Sequence, residues 1–308
     1  MKVAVLGASG FVGSYVLQIL RRSQVESVGT FFQHSGAGLV RLDCGDYGAM
    51  ESFVREGKYD SIIVLASQPN VEWCESHPDE SYARNTLPIS HLAKILTKVN
   101  SSGNPNVIFV SSDYVFDGFN GPYTEEDRPN PLSVYGRHKL EAEKITLALE
   151  GTVVRITVVY GLEKNQKNFA ERLIREAKQK RKVMVPVDQI GSPTYVEDVA
   201  RALAEVAARQ LRGIYHVAGP DCISRYELAL RIAEVMQLDP AYIVPVQTAE
   251  LGQKAKRPLR AGMLSGKFES TVGWKLQGIE QGLSKMQEQI SKTQSAGFGI
   301  KVTGLTSE

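Results

Sequence analysis

Short apolar runs alternate with helical spacings through the first half of the chain. VAVLG, ESVGTFF, GLVRL, SIIVLAS, NVIFVSS and TVVRITVVY read as strands. Between them, apolar residues recur at three- and four-residue intervals near 11–22, 46–56, 80–99 and 135–149, which predicts helices. This alternation predicts an α/β fold, a Rossmann-like doubly wound parallel sheet with helices on both faces. After Gly161 the pattern loosens. NFAERLIREAKQ, VEDVARALAEVAARQ and SRYELALRIAEVM read as helices, and Pro186, Pro193, Pro220, Pro240, Pro245 and Pro258 punctuate the spaces between them. The expected division is a sheet domain over 1–160, rejoined by segments near 190–218, and a smaller C-terminal lobe over 161–290. A Gly/Ser/Thr/Lys-rich stretch without periodicity, 291–308, is expected to be a flexible tail.

Three segments carry chemistry. The first is MKVAVLGASGFVG, in which an apolar strand runs straight into Gly7-x-x-Gly10-x-x-Gly13 and then a helical pattern. Strand, glycine turn and helix in this order form a dinucleotide fingerprint, whereas a glycine-rich turn without those flanks would be an ordinary loop. The pyrophosphate is expected over the helix N-terminus, where unpaired N–H groups and the helix dipole favour an anion. The second is NVIFVSSD, with Ser111, Ser112 and Asp113 at the carboxyl end of a buried strand, where ligands bind in open α/β sheets. A serine there can hydrogen-bond a carbonyl; the other serine is expected to satisfy the first turn of the loop. The third is Tyr135-Gly-Arg-His-Lys139, which places a phenol and an ammonium one helical turn apart. A free phenol titrates near pH ~10, and a neighbouring ammonium favours its ionised form, making it an acid/base near neutrality.

Composition narrows the class. The chain has 308 residues, 43% hydrophobic and 23% charged, enough for a large core. With a net charge of +2 there is no electrostatic case for nucleic acid or an anionic membrane as a partner. Lys178-Gln-Lys-Arg-Lys182 ends a helical pattern, where cations suit the dipole. Cys44, Cys74 and Cys222 are odd in number and widely spaced, indicating neither a disulfide framework nor a zinc site. The lack of an 18-residue apolar stretch or signal peptide makes the cytoplasm the expected location.

On these motifs the chain resembles the extended short-chain dehydrogenase/reductases, and within them the dTDP-4-dehydrorhamnose reductase family. The most specific match is SSDYVFDGFNGPYTEEDRPNPLSVYGRHKLEAEK; VEWCESHPDESYARNT, VDQIGSPTYVEDVA, GIYHVAGPDCISRYELA and KAKRPLRAGML resemble further family blocks in the same order. The resemblance implies a dinucleotide-binding domain followed by a substrate-binding lobe. NADPH, with NADH an alternative, would lie along Gly7, Ser9, Gly10, Phe11, Val12, Gly13, Gln33, His34, Asp43, Cys44, Ala66, Ser67, Tyr135 and Lys139, the last on the nicotinamide ribose. It implies reduction of a nucleotide-linked 4-keto-6-deoxy sugar, such as dTDP-4-dehydro-L-rhamnose. Tyr135 would be the acid, Ser112 a donor to the ketone oxygen, and Lys139 the residue that lowers the phenol pKa. Asn85, Asp113, Tyr114, Phe116 and Val158 are the implied substrate contacts; a surface role on its helix is the plainer reading of Asn85. Related dehydratases carry Asp-Glu where this chain has Asp113-Tyr114, which points to reduction without loss of water. Asp113 and Asp117 lack the His or Glu neighbours that a metal pair needs. The chain departs from the family at Val158, where a Trp packs on the nucleotide base, and at Tyr15, where some members hold a magnesium-binding Glu. No metal is therefore expected. A homodimer stays open. A non-catalytic NADP-binding regulatory subunit, like the methionine adenosyltransferase beta subunit, is the alternative, as is a related nucleotide-sugar reductase or epimerase.

Overall fold

Strands buried on both faces need an apolar middle, and the central strands of this chain have one, in Val3–Leu6, Ile62–Val64 and Val107–Val110. The computed structural model describes residues 1–99, 103–163 and 165–295. Strands β1 (Lys2–Leu6), β2 (Glu26–Phe31), β3 (Leu39–Arg41), β4 (Ser61–Val64), β5 (Asn106–Ser112) and β6 (Thr152–Ile156) join a seventh, Gly213–Val217, in one parallel sheet. The spatial order is β3-β2-β1-β4-β5-β6 and then Gly213–Val217. The order reverses between β1 and β4, and ligands of doubly wound sheets bind in the crevice at that switch.

Helices cover both faces. α1 (Phe11–Arg22) and the helix Val196–Ala208 pack on one face, burying Val16, Leu20, Val199 and Leu203 against Val3, Val5 and Val110. On the other lie α2 (Tyr47–Gly57), α5 (Leu87–Val99) and α6 (Val134–Ala148), burying Met50, Leu92 and Ala142 against Leu6, Ile62 and Phe109. The short helices α3 (Val71–Ser76) and α4 (Pro78–Asn85) bridge β4 to α5. A separate core forms from Tyr160, Leu173, Ile174, Val185, Leu228, Ile232, Ile243 and Leu283. It gathers the helices Phe169–Lys178, Arg225–Val235 and Ile279–Ser295 around the parallel pair Val183–Pro186 and Ile243–Val246.

Three elements differ from the sequence expectation. TVVRITVVY is not one strand: β6 ends at Ile156, and Val159–Tyr160 pairs instead with Thr194–Tyr195. The break falls at Val158, whose φ of +43° is left-handed, a conformation β-branched residues rarely adopt. The single helix expected over 80–99 is two, α4 and α5, divided at Thr86. The helix Ile279–Ser295 runs into the stretch expected to be a tail, because its Ile279, Leu283 and Met286 bury themselves in the smaller core. Residues 296–308 lie outside the described residues.

Candidate active site

The glycine loop takes the shape that a dinucleotide phosphate requires. Gly7 has φ +86°, and a Cβ on it would lie 2.8 Å from Ala66 N, so the ends of β1 and β4 abut. A Cβ on Gly13 would lie 2.3 Å from Gly7 O, which holds the first turn of α1 tight against the loop. Gly10 caps α1 with no side-chain hydrogen bond, and the first turn holds no acidic residue. Its N–H groups are thus available to an anion. A cleft of about 850 Å³ continues from here, lined by Ala8, Ser9, Ser14, Gln33, His34, Ser35 and, further along, Arg21 and Arg22. These residues fit an NADP molecule: glycines at the pyrophosphate, and hydrogen-bond donors with cations further along the cleft. Asp43 turns its carboxylate onto Gly45 N (2.9 Å), while Cys44 is buried in the core with its thiol pushed up to about 12, chiefly by burial.

α6 is set against the end of β5 by its own first turn. The Ser133 hydroxyl accepts from Gly136 N (3.2 Å), and Glu75 accepts from Val134 N (2.9 Å). A Cβ at Gly136 would lie 2.2 Å from Tyr114 O, so only glycine lets the helix come this near. The result is that Tyr135 meets Tyr114 edge to face, with ring centroids 5.7 Å apart.

Tyr135, Lys139 and Ser112 are all buried at this point. The Lys139 ammonium donates to Val110 O (3.0 Å), lies 4.7 Å from the Phe109 ring centroid and 5.7 Å from that of Tyr135. Burial brings Lys139 down to about 8, against the opposing pull of Glu143 and Cys74. The expected lowering of the phenol is reversed here. Burial first, then Asp113, Tyr114 and Cys74, pushes Tyr135 well above its ordinary value, with the Ser112 hydroxyl opposing the rise. Tyr135 is thus held as a protonated acid.

Ser112 also takes the turn-satisfying role that was expected of the other serine. Ser112 Oγ accepts from Tyr114 N (3.3 Å), satisfying the turn, and donates to Asp113 Oδ1 (2.7 Å); buried Ser111 Oγ has no hydrogen-bond partner among the described residues. Asp113 is buried and also accepts from Thr157 Oγ1 (2.7 Å). Burial raises its pKa, while Thr157, Ser112 and Arg225 work against the rise. Asp117 is fully engaged by Tyr123, Phe119 and Asn130, so the two aspartates do not form a metal pair.

Two of the implied substrate contacts are packed within the protein. Asn85 is buried, not on a helix surface. Its Oδ1 accepts from Gln68 N (3.0 Å) and its Nδ2 donates to Gln68 O (3.3 Å) and Ser81 Oγ (3.2 Å), clamping the loop after β4. Phe116 has no exposed surface: it stacks on Tyr123 at 4.1 Å and packs its edge on His216. Val158 is half-buried with its methyl facing Gly191, and Tyr114 hydrogen-bonds through its hydroxyl.

Sequence reasoning passed over the cations. Arg257 Nη1 donates to the Tyr114 hydroxyl (2.6 Å) and its Nη2 pairs with Glu72 at 3.1 Å. The charge on Arg225 acts on Asp113 and Tyr114, with Arg257 and Arg172 near it, and its guanidinium lies 5.3 Å over the Phe169 ring. Both Arg225 and Arg257 stand inside blocks already singled out by resemblance. The pairing of Arg257 with Tyr114 across 143 residues has no local signal.

A glycine-loop dinucleotide cleft on a doubly wound sheet, with a buried Tyr-x-x-x-Lys dyad and a serine where α6 meets the carboxyl end of β5, defines the class of nicotinamide-dependent oxidoreductases. Within that class, the chain belongs to the family described as RmlD substrate binding domain, whose model matches residues 1–292. The methionine adenosyltransferase 2 subunit beta of Rattus norvegicus is 30% identical over 278 residues, 87% of this chain and 82% of that protein. A dTDP-4-dehydrorhamnose reductase of Aggregatibacter actinomycetemcomitans is 31% identical over 246 residues, 75% of this chain and 82% of that one. The crystal structure of dTDP-4-dehydrorhamnose reductase from Bacillus anthracis in complex with NADP is similar with a TM-score of 0.82 and 25% identity, covering 94% of this chain and 99% of that chain.

Among the described residues no group of three or more His, Cys, Asp or Glu side chains is placed to hold a metal ion, and no helix is long and apolar enough to cross a membrane. Tyr15, at the departure from the family's magnesium pattern, donates to Leu162 O (2.8 Å), and burial with Glu197 and Glu171 lifts its phenol to about 12. A neutral phenol committed to a carbonyl is a poor ligand for a hard cation. Activity is expected to survive EDTA; loss on chelation, restored by magnesium, would refute this.

Proposed function

We propose that this chain is an NADPH-dependent reductase of a nucleotide-linked 4-keto-6-deoxy sugar, with dTDP-4-dehydro-L-rhamnose the foremost substrate and the cytoplasm its location. Residues 1–160, with 190–218, hold the dinucleotide, and 161–290 mainly the sugar nucleotide. The observation that carries the reading is Tyr135, in the first turn of α6, buried together with Lys139 and beside Ser112 at the carboxyl end of β5. Bound NADPH would supply the hydride. Tyr135 then gives its proton to the oxygen of the ketone, and Ser112 stabilises the charge on that oxygen by turning its hydroxyl from Asp113 to the substrate. Lys139 spends one donor on Val110 O and keeps two for the nicotinamide ribose and the phenol. Arg225 and Arg257 give the pocket the positive charge a diphosphate needs. The experiment is NADPH oxidation across a panel of nucleotide 4-keto sugars, and no turnover on any of them would reject the reading.

Cofactor choice follows from the end of β2. An Asp or Glu there would accept from a ribose 2′-hydroxyl and repel a 2′-phosphate. The cleft offers Gln33 and His34 instead, with Arg21 and Arg22 along the same wall. NADPH is expected to be used at least as well as NADH. A higher kcat/KM for NADH would contradict it.

The base pocket is less selective than one built around Trp. Val158 offers no flat surface, Tyr160 is buried with its hydroxyl on Ile279 O, and half-buried Phe169 already carries Arg225. Stacking on an aromatic is worth about 1–3 kcal/mol per base in other settings. dTDP- and UDP-linked substrates should therefore differ by less than about tenfold in kcat/KM, near 1.4 kcal/mol. Strict rejection of the uridine analogue would refute this.

The second reading is a regulatory NADP-binding subunit, favoured by the 30% identity to methionine adenosyltransferase 2 subunit beta over 278 residues. NADPH binding with no turnover on any keto sugar, together with co-purification of a synthetase, would replace the first reading by this one.

A further inference from the structure

Glu143 lies one helical turn beyond Lys139 and is 1% exposed, on the side of α6 that faces the sheet. A carboxylate at that spacing is a ready partner for a lysine ammonium. Here both its oxygens are already engaged. Arg155 Nε donates to Oε1 at 3.0 Å and Nη2 to Oε2 at 2.8 Å, a bidentate fork within the sheet. Arg155 is itself 1% exposed, with Nη1 3.3 Å from His216 Nε2 and its guanidinium 5.0 Å over the Phe116 ring. His216 is held neutral by burial and by Arg155, so it faces the fork as an acceptor. The register sets Arg155 opposite Ser111, one position before Ser112. The pair thus reaches from one turn beyond Lys139 on α6 to the strand position beside Ser111.

We propose that Arg155 and Glu143 are a positioning pair for Lys139: by occupying the carboxylate at both oxygens, Arg155 keeps Glu143 from capturing the ammonium, which stays turned toward Val110 O, Tyr135 and the cofactor ribose. The role at the ribose rests on the oxidoreductase reading; the effect on the lysine does not. The charged and titratable groups facing Lys139 are Tyr135 and Glu143 on α6 and Cys74 on α3, while β5 presents only Val110 O and the Phe109 ring. Glu143 acts on Lys139 through its charge alone, and that field already opposes the effect of burial. Direct capture would oppose it more strongly.

The test titrates the Lys139 amine by NMR in 13C-lysine-labelled protein without cofactor, and measures NADPH affinity by fluorescence. Arg155→Met should raise the Lys139 titration by about one unit, as Glu143 turns to the ammonium, and weaken NADPH about tenfold. Glu143→Gln should move the titration the opposite way, down by about half a unit, with NADPH affinity within about threefold of the parent. The double variant should titrate with Glu143→Gln and recover NADPH affinity. A pair that only stabilises the fold would lower the melting temperature and leave the titration in place, and that result overturns the proposal. If Arg155→Met does not fold, an unmoved titration in Glu143→Gln overturns it equally. Parent protein that binds no NADPH would sink the oxidoreductase reading and leave the titration shifts to test the pair.

Discussion

Tyr135→Phe is expected to lower NADPH-dependent reduction by about two to four orders of magnitude, the usual worth of general acid catalysis. The phenol is buried and pushed upward by burial, Asp113, Tyr114 and Cys74, so at neutral pH it is almost wholly protonated. That is the state a proton donor needs. The ring itself packs edge-on to Tyr114, a contact that phenylalanine preserves. Fold and NADPH affinity should therefore hold to within about threefold, since the lost hydroxyl has no cofactor phosphate to bind. Single-turnover kinetics with NADPH separate the chemical step from binding. A variant turning over at the parent rate would remove Tyr135 from the mechanism.

Lys139→Met should abolish most turnover and yet make the protein more stable at pH 7. Lys139 titrates at about 8 in the folded chain, against ~10.4 when unfolded. Below pH 8 both states carry the proton, and the folded state bears the full cost of the buried charge. Between those two values the unfolded chain binds the extra proton, so stability rises with pH. At one pH unit per 1.36 kcal/mol the cost at neutrality is on the order of 3 kcal/mol, and the side chain is buried, so solvent screening does not reduce it. Methionine recovers this but loses the hydrogen bond to Val110 O, for a net gain of about 1–2 kcal/mol. Urea unfolding at pH 7 and pH 9.5 checks the sign, because the advantage of the variant should shrink as pH rises. Comparing the two proteins cancels the opposite titrations of buried tyrosines and cysteines. A variant less stable than the parent at pH 7 would refute the argument.

Much of this was legible before the fold was known, and for a physical reason. Strands such as VAVLG and NVIFVSS are buried on both faces and so carry an uninterrupted apolar signal, and Gly7, Gly10 and Gly13 sit where backbone must approach backbone. What a motif position does not tell is which way its side chain turns. Asn85 and Phe116 stand in matching blocks yet point into a loop clamp and a ring stack. Ser111 and Ser112 alternate across a strand, so their side chains face opposite ways, and the bond by which Ser112 also satisfies Tyr114 N shows only in the fold. The break at Val158 left no trace because a β-branched residue in left-handed backbone runs against every local preference. Arg257 and Arg225 reach the site from the far end of the chain, which no spacing rule registers.

The seventh strand has a consequence for how the chain is made. Gly213–Val217 pairs with β6 only after an excursion of more than fifty residues, first into the smaller lobe and then through the helix Val196–Ala208 on the sheet. During synthesis from the N-terminus, the first six strands emerge and dock while the outer edge of β6, with Val153 and Val154 destined for full burial, has nothing beside it. An unpaired apolar edge is a template for another chain. At a synthesis rate of about 5–20 residues per second, that edge stays open for several seconds before its partner is made. A chain cut at residue 160 would keep it open permanently, so the nucleotide half is expected to aggregate when expressed alone, and the sheet is better regarded as a product of the whole polypeptide than of its first half.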